Sequence, residues 1–199
     1  MDRRAYFDGI SSRWDTFTDA GRVQSALREV VTAYGIQPDE HVVDLGCGTG
    51  NLSHVLCSLL GDRGRITAVD ISPAMIDVAR GRLADPRVTW VVADAIALPL
   101  AEESVDRVIC FSAWPHFPDP GTVATELGRV LRPGGALHIV HIDGREKING
   151  IHTGVGGAIA DDILPSATAL AVVLRGAGFE PFEELDAPDT YRVSARWNR

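Results

Sequence analysis

Apolar positions along the chain alternate between two periods. From Arg22 to Tyr34 the residues Val23, Ala26, Leu27, Val30, Val31 and Tyr34 recur at helical spacing, and Gly35 and Pro38 end the run. His41–Leu45 is short and β-branched and predicts a strand. Asn51–Leu60 returns to helical spacing until Gly61 stops it, and Arg65–Asp70 predicts a second strand. Ser72 and Pro73 open the next helix, as cap and first-turn residue, and it runs to about Leu83. Val88–Val92 and Val105–Phe111 predict strands three and four. Thr122–Leu131 predicts a helix ended by Arg132-Pro133-Gly134-Gly135, and Ala136–Ile142 a fifth strand. Thr168–Ala177 predicts a helix closed by Gly178. Glu180–Leu185 and Thr190–Trp197 predict a closing antiparallel pair.

Strand and helix in strict alternation imply an α/β fold: a doubly wound, mostly parallel seven-stranded sheet with helices on both faces and a C-terminal antiparallel strand pair. The 199 residues suit one domain over 1–199, with an N-terminal arm or lid at 1–21 and a substrate-side loop or insertion at 143–165. Composition is that of an ordinary globular chain, with 45% hydrophobic and 23% charged residues. No apolar run approaches the roughly 20 residues needed to cross a bilayer. Met1-Asp2-Arg3-Arg4 has no apolar stretch behind it, so no signal peptide is expected and the location reads as cytoplasmic. Cys47, Cys57 and Cys110 lack CxxC spacing and read as reduced, buried thiols. The net charge is −8 and Lys147 is the only lysine, which argues against a nucleic-acid backbone as partner. The expected partner is a small-molecule substrate, with no nucleic acid and no membrane, and the oligomeric state stays unknown.

In a doubly wound sheet, ligands bind beyond the carboxyl ends of the strands. The first strand ends at Asp44, and Gly46, Gly48 and Gly50 follow before the helix. These glycines permit a tight turn and a close ligand approach, and the helix start adds free N–H groups. An acid before the turn does not suit a pyrophosphate, but it suits an ammonium. Asp70 ends the second strand, twenty residues past Gly50, where a carboxylate can receive both ribose hydroxyls. That fits a nicotinamide dinucleotide or S-adenosylmethionine equally. Ile71 would lie beside an adenine ring. Asp94 with Ala95, after the third strand, can read its exocyclic amine, and Phe111 would floor the site.

The run Val42–Gly50 looks like the first motif of class I S-adenosylmethionine-dependent methyltransferases. Ala68–Ile76 resembles the second, Asp94–Leu100 the acidic third, and Asp106–Ile109 with Leu131–Gly135 the later ones. The likeness spans Val42 to Ile142 and is nearest the small-molecule subgroup that includes the ubiquinone/menaquinone-type enzymes. It implies S-adenosyl-L-methionine as cofactor, held, by position, by Asp44, Gly46, Gly48, Asp70, Asp94 and Phe111, with Cys47, Ile71 and Ala95 as the neighbouring candidates. It implies methyl transfer to a small-molecule acceptor by in-line displacement.

Three segments should border the acceptor. The arm offers Tyr6, Phe7 and Trp14, as a lid or as simple docking groups. The loop after the fourth strand offers Trp114 and His116; histidine titrates near neutral pH, so His116 is a candidate base and a loop-fixing residue is the alternative. The stretch after the fifth strand offers His141, Arg145, Asn149 and His152, with the last two on one face if it is helical. His116 and His141 are the catalytic candidates. Convergence of the histidines on a metal, or on a metal-bearing tetrapyrrole or corrinoid substrate, is weighed against ordinary hydrogen bonding; no compact ligand motif exists, so no metal is assigned. Gly154–Ala158 reads as a loop closing over substrate, and Asp161 and Asp162 as cap or solvated residues. A non-catalytic S-adenosylmethionine-binding protein is the remaining alternative.

Overall fold

In the computed structural model, residues 2–17 and 19–199 are described; Met1 and Thr18, both inside the arm expected at 1–21, lie outside the described residues. The strands are β1 His41–Leu45, β2 Arg65–Asp70, β3 Val88–Val92, β4 Val105–Phe111, β5 Leu131–His141, β6 Phe179–Ala187 and β7 Thr190–Trp197. They form one seven-stranded sheet in the order β3-β2-β1-β4-β5-β7-β6. β1 to β5 pair in parallel, and β7 runs antiparallel to both β5 and β6. The chain steps outward from β1 to β3 and then returns to β4 on the other flank of β1. The switch point therefore lies between the carboxyl ends of β1 and β4.

The helices are α1 Arg3–Ile10, α2 Ala20–Ala33, α3 Asn51–Leu59, α4 Pro73–Arg82, α5 Pro120–Val130, α6 Arg145–Val155 and α7 Ala167–Ala177. On one face Leu27 of α2 and Leu52 and Leu56 of α3 pack against Val42 and Ile66. On the other, Leu127 of α5 and Leu170 and Leu174 of α7 pack against Val43, Val108 and Leu137. Each such side chain gains roughly 1.5–3 kcal/mol on full burial, so two-sided coverage is what holds the parallel strands.

Helix starts follow local chemistry. Asp19, Ser72, Asp119 and Ser166 each accept a hydrogen bond from the backbone N–H three residues on. The Asp119 cap, with Pro120 in the first turn, is why α5 begins before the expected Thr122. β5 begins at Leu131, five residues before the expected Ala136. Leu131 pairs with Val105 and Ala136 with Arg107, so Arg132–Gly135 loop out of register without ending the strand. The expected arm is α1 followed by a 3-10 stretch over Ser11–Thr16, and the 143–165 segment contains α6 and a short 3-10 turn at Gly157–Ile159. Among the described residues, no helix is long and apolar enough to cross a membrane.

Candidate functional site

β1 hands over to α3 through Gly46-Cys47-Gly48-Thr49-Gly50, and the three glycines have φ of 71°, 51° and 86°. A Cβ on Gly46 would sit 2.4 Å from that of Ala113, so the turn and the segment after β4 meet only because residue 46 has no side chain. The N–H groups of Gly46 and Cys47 donate to Val69 O at 2.8 and 2.9 Å, and Gly48 N–H donates to Asp70 Oδ2 at 2.8 Å. The other oxygen of Asp70 accepts from Ser72 N–H at 2.9 Å. Burial pushes the Asp70 carboxyl up, against those two hydrogen bonds. α3 starts without a side-chain cap, because left-handed Gly50 occupies that position. Ser112, a non-glycine residue at φ 52°, makes the opposing wall just after β4.

These elements enclose a cavity of about 250 Å³. Gly46, Cys47, Gly48, Asp70, Ile71, Asp94, Ala95 and Phe111 all line it. Asp44 does not: it lies behind the turn, 1% exposed. Its Oδ2 accepts from Ser53 Oγ at 2.7 Å, and its Oδ1 has no partner. Burial lifts its carboxyl to about 7, with a smaller push from Asp70. A cation brought to this end of the cavity would favour the charged form. The Cys47 thiol is pushed well up by burial and is no nucleophile. Glycine turn, buried acid and strand-end carboxylate thus fit a nucleoside carrying a positively charged tail.

The arm closes one side. Phe7 and Trp14 line the cavity, while Tyr6 stands off it, edge-on to Phe7 at 5.2 Å. Two acids that carried no expected role tie the arm down. Asp8 accepts from Ser72 Oγ at 2.6 Å and Ala74 N–H at 3.3 Å, beside the start of α4. Asp15 accepts from Thr49 Oγ1 and Asn51 Nδ2, both at 3.0 Å, and from Arg82 at 2.6 Å.

His116 stands on the cavity wall in the 3-10 turn after β4. Its Nδ1 donates to Asp162 Oδ2 at 2.7 Å, which leaves Nε2 without a partner. Asp162 was expected to be a cap or solvated residue; instead its side chain is fully buried, and side chain and backbone carbonyl together join three elements. Arg3 of the arm grips Oδ1, with Nε at 3.1 Å, and His152 of α6 donates Nδ1–H to its backbone carbonyl at 2.5 Å. Burial pushes the Asp162 carboxyl up, but the bonds from His116 and Arg3 outweigh it and hold it at about 2. The rings of His116 and His152 are 4.9 Å apart, and Phe7 meets His116 edge-on at 5.0 Å. Spacing alone gave no sign of Asp162, because its partners lie 46 and 159 residues away.

Other expected acceptor residues fall elsewhere. Trp114 is 2% exposed and packs under Phe117 in the core. Arg145 pairs with Asp186 at 2.8 Å. Asn149 bonds both backbone groups of Leu164, at 3.1 and 2.8 Å. His141 is buried next to this cluster. No group of three or more metal-ligating side chains among the described residues has the arrangement of a metal site.

A larger depression of about 980 Å³ opens at the amino ends of β1, β4 and β5. Several of its charges are paired: Arg107 holds Glu40 at 2.8 and 2.9 Å, and His138 bonds Arg107 and Ser194 at 2.8 and 2.9 Å, while the Tyr34 hydroxyl and Arg192 Nε have no hydrogen-bond partner among the described residues. It lies at the wrong end of the strands for the chemistry above.

A family described as methyltransferase domain matches residues 42–135. The ubiquinone/menaquinone biosynthesis C-methyltransferase UbiE of Shewanella sediminis is 30% identical over 141 residues, covering 67% of this chain and 56% of the relative. The chain spans about half the length of the curated relatives it matches. A methyltransferase solved in complex with the Haloferax volcanii Trm112 methyltransferase activator superposes with a TM-score of 0.80 at 21% identity, over 100% of this chain and 99% of that one. An Aquifex aeolicus S-adenosylmethionine-dependent methyltransferase gives 0.72 at 19% identity, over 90% and 98%. At these identities the likeness is one of fold. The archaeal complex corrects the expectation that partners are confined to a small molecule: a chain of this fold is bound there by an activator protein.

Proposed function

We propose that the chain is a class I S-adenosylmethionine-dependent methyltransferase that transfers a methyl group in line to a small-molecule acceptor, with His116 as the base. The observation that carries this reading is the His116–Asp162 pair on the wall of the glycine-turn cavity. S-adenosylmethionine supplies a methyl group on a positively charged sulfur, whose departure leaves a neutral thioether.

The chain's own residues then have distinct tasks. Asp70 receives the ribose hydroxyls on the lone pairs left beside its bonds to Gly48 and Ser72. Asp94 and Ala95 read the adenine edge, and Ile71 and Phe111 pack against the rings. Asp44, behind the turn, attracts the ammonium by charge rather than by contact. Phe7 and Trp14 keep water from the reacting atoms, and holding both partners in line supplies much of the rate. With Nδ1–H fixed on Asp162, the bare Nε2 of His116 takes the proton that the acceptor loses.

Labelled methyl groups offered with a cell extract, followed by mass identification of the product, test the activity. With that product as acceptor assay, His116→Gln should keep its affinity for S-adenosylhomocysteine and lose about 10²–10⁴ in turnover. Unchanged turnover would remove His116 from the chemistry.

A further inference from the structure

β5 ends on His141, and Tyr191, the second residue of β7, lies opposite; neither side chain has a hydrogen-bond partner among the described residues. His141 and Tyr191 face each other in the antiparallel register, and their rings meet edge to face at 5.7 Å. They are 1% and 0% exposed. Among the described residues, both ring nitrogens of His141 and the hydroxyl of Tyr191 lack a hydrogen-bond partner. Folded proteins pair nearly all buried polar atoms, because an unpaired one has given up its hydration for nothing. Three together mark a place where the partner comes from outside the chain.

The position agrees. The pair sits at the carboxyl end of a parallel strand, where this fold binds ligands, and His141 feels the charges of His116 and His152. α6, which follows β5, buries His152 and packs Ile148 against the core, and it is tied by Arg145 to Asp186 and by Asn149 to Leu164.

The chemistry of the pair is restrictive. Burial pushes the His141 imidazole down to about 3, so it is neutral and offers one N–H and one lone pair. Tyr191 offers one hydroxyl donor and one acceptor. A charged group here would lose its hydration without meeting a counter-charge. Resting on the transferase reading above, we propose that His141 and Tyr191 are the polar end of the acceptor pocket and take an uncharged oxygen function, hydroxyl or carbonyl, of the acceptor.

Phenol, as a minimal neutral probe, can be titrated calorimetrically into the protein saturated with S-adenosylhomocysteine, beside benzoate and benzylamine. Phenol should bind the wild type more tightly than either charged analogue. Tyr191→Phe should keep its affinity for S-adenosylhomocysteine, melt at the same or a higher temperature, and bind phenol about tenfold more weakly. His141→Leu should behave likewise. Equal phenol affinity in the variants, no saturable phenol binding to the wild type, or preference for a charged analogue would overturn the proposal. So would a drop of several degrees in the melting temperature of Tyr191→Phe, since its hydroxyl would then have a partner such as an ordered water. Failure of the wild type to bind S-adenosylhomocysteine would instead sink the transferase reading, and the acceptor pair with it.

Discussion

Asp70 shows how one side chain can serve both the fold and a ligand. Its two oxygens hold the N–H groups of Gly48 in the glycine turn and Ser72 at the start of α4. Burial still pushes its carboxyl up, so the two donors do not fully replace water, and a pair of hydroxyls arriving from a ribose would complete the set. Asp70→Ala removes the acceptor and releases the turn. Calorimetry should find no measurable affinity for S-adenosylhomocysteine in that variant, while near-normal affinity would defeat the ribose assignment. Asp70 was readable in sequence, because its distance from the glycine turn is set by one helix and one strand of ordinary length. Asp162 was not, because its roles depend on Arg3 and His116, which only the folded chain brings to it.

Glycines sort the elements into those closed by contact and those left open. Gly46 combines a φ of 71° with a Cβ position 2.4 Å from Ala113. Gly46→Ala should therefore cost about 1–2 kcal/mol for the left-handed backbone and another 1–3 for the clash. Gly150 and Gly154 of α6 meet nothing within 4 Å and have no positive φ. Changing either to Ala should stabilise α6 by roughly 0.5–1 kcal/mol. Thermal melts of the three single variants check this, and a stable Gly46→Ala would mean that the loops can part. The contrast also explains what was legible. β1, β2, β3, β4 and β7 match the expected bounds residue for residue: the well-buried β1, β2 and β4 show as short apolar, β-branched runs, while the edge strand β3 shows by its β-branched and aromatic residues alone. β5 was misjudged at Arg132–Gly135, where a Pro-Gly-Gly turn that ends most elements is instead accommodated by a register shift. α6 was legible only as a polar spacing, since its single buried residue, His152, leaves no apolar stripe.

Across the whole molecule, buried imidazoles and buried carboxyls pull stability in opposite directions with pH. Burial holds His138 and His141 near 3, helped by Arg107 at the first and by His116 and His152 at the second. Burial lowers His41 and His152 as well. An unfolded histidine takes its proton near about 6.5. Below that pH the unfolded chain binds protons that the folded chain refuses, so this contribution is complete above about 6.5 and fades towards 3. Asp44 acts the other way. Its folded carboxyl, raised to about 7, keeps a proton that the unfolded chain loses near about 3.9, so its contribution is present at low pH and is lost as pH rises to 7. Asp70 leans the same way. Between pH 6 and 4.5 the histidines outweigh the two acids, and acidification should destabilise the fold, each fully shifted histidine giving up to about tenfold in the folding equilibrium per pH unit. Below about pH 4 the paired Asp162, held at about 2, adds to the loss. Urea unfolding across that range should show the midpoint falling with pH. His141→Leu, which cannot take a proton in either state, should make the fall shallower by close to one proton. A midpoint that rises on acidification would mean that His138 and His141 are charged in the folded chain, and the neutral acceptor end inferred for His141 would fail with it.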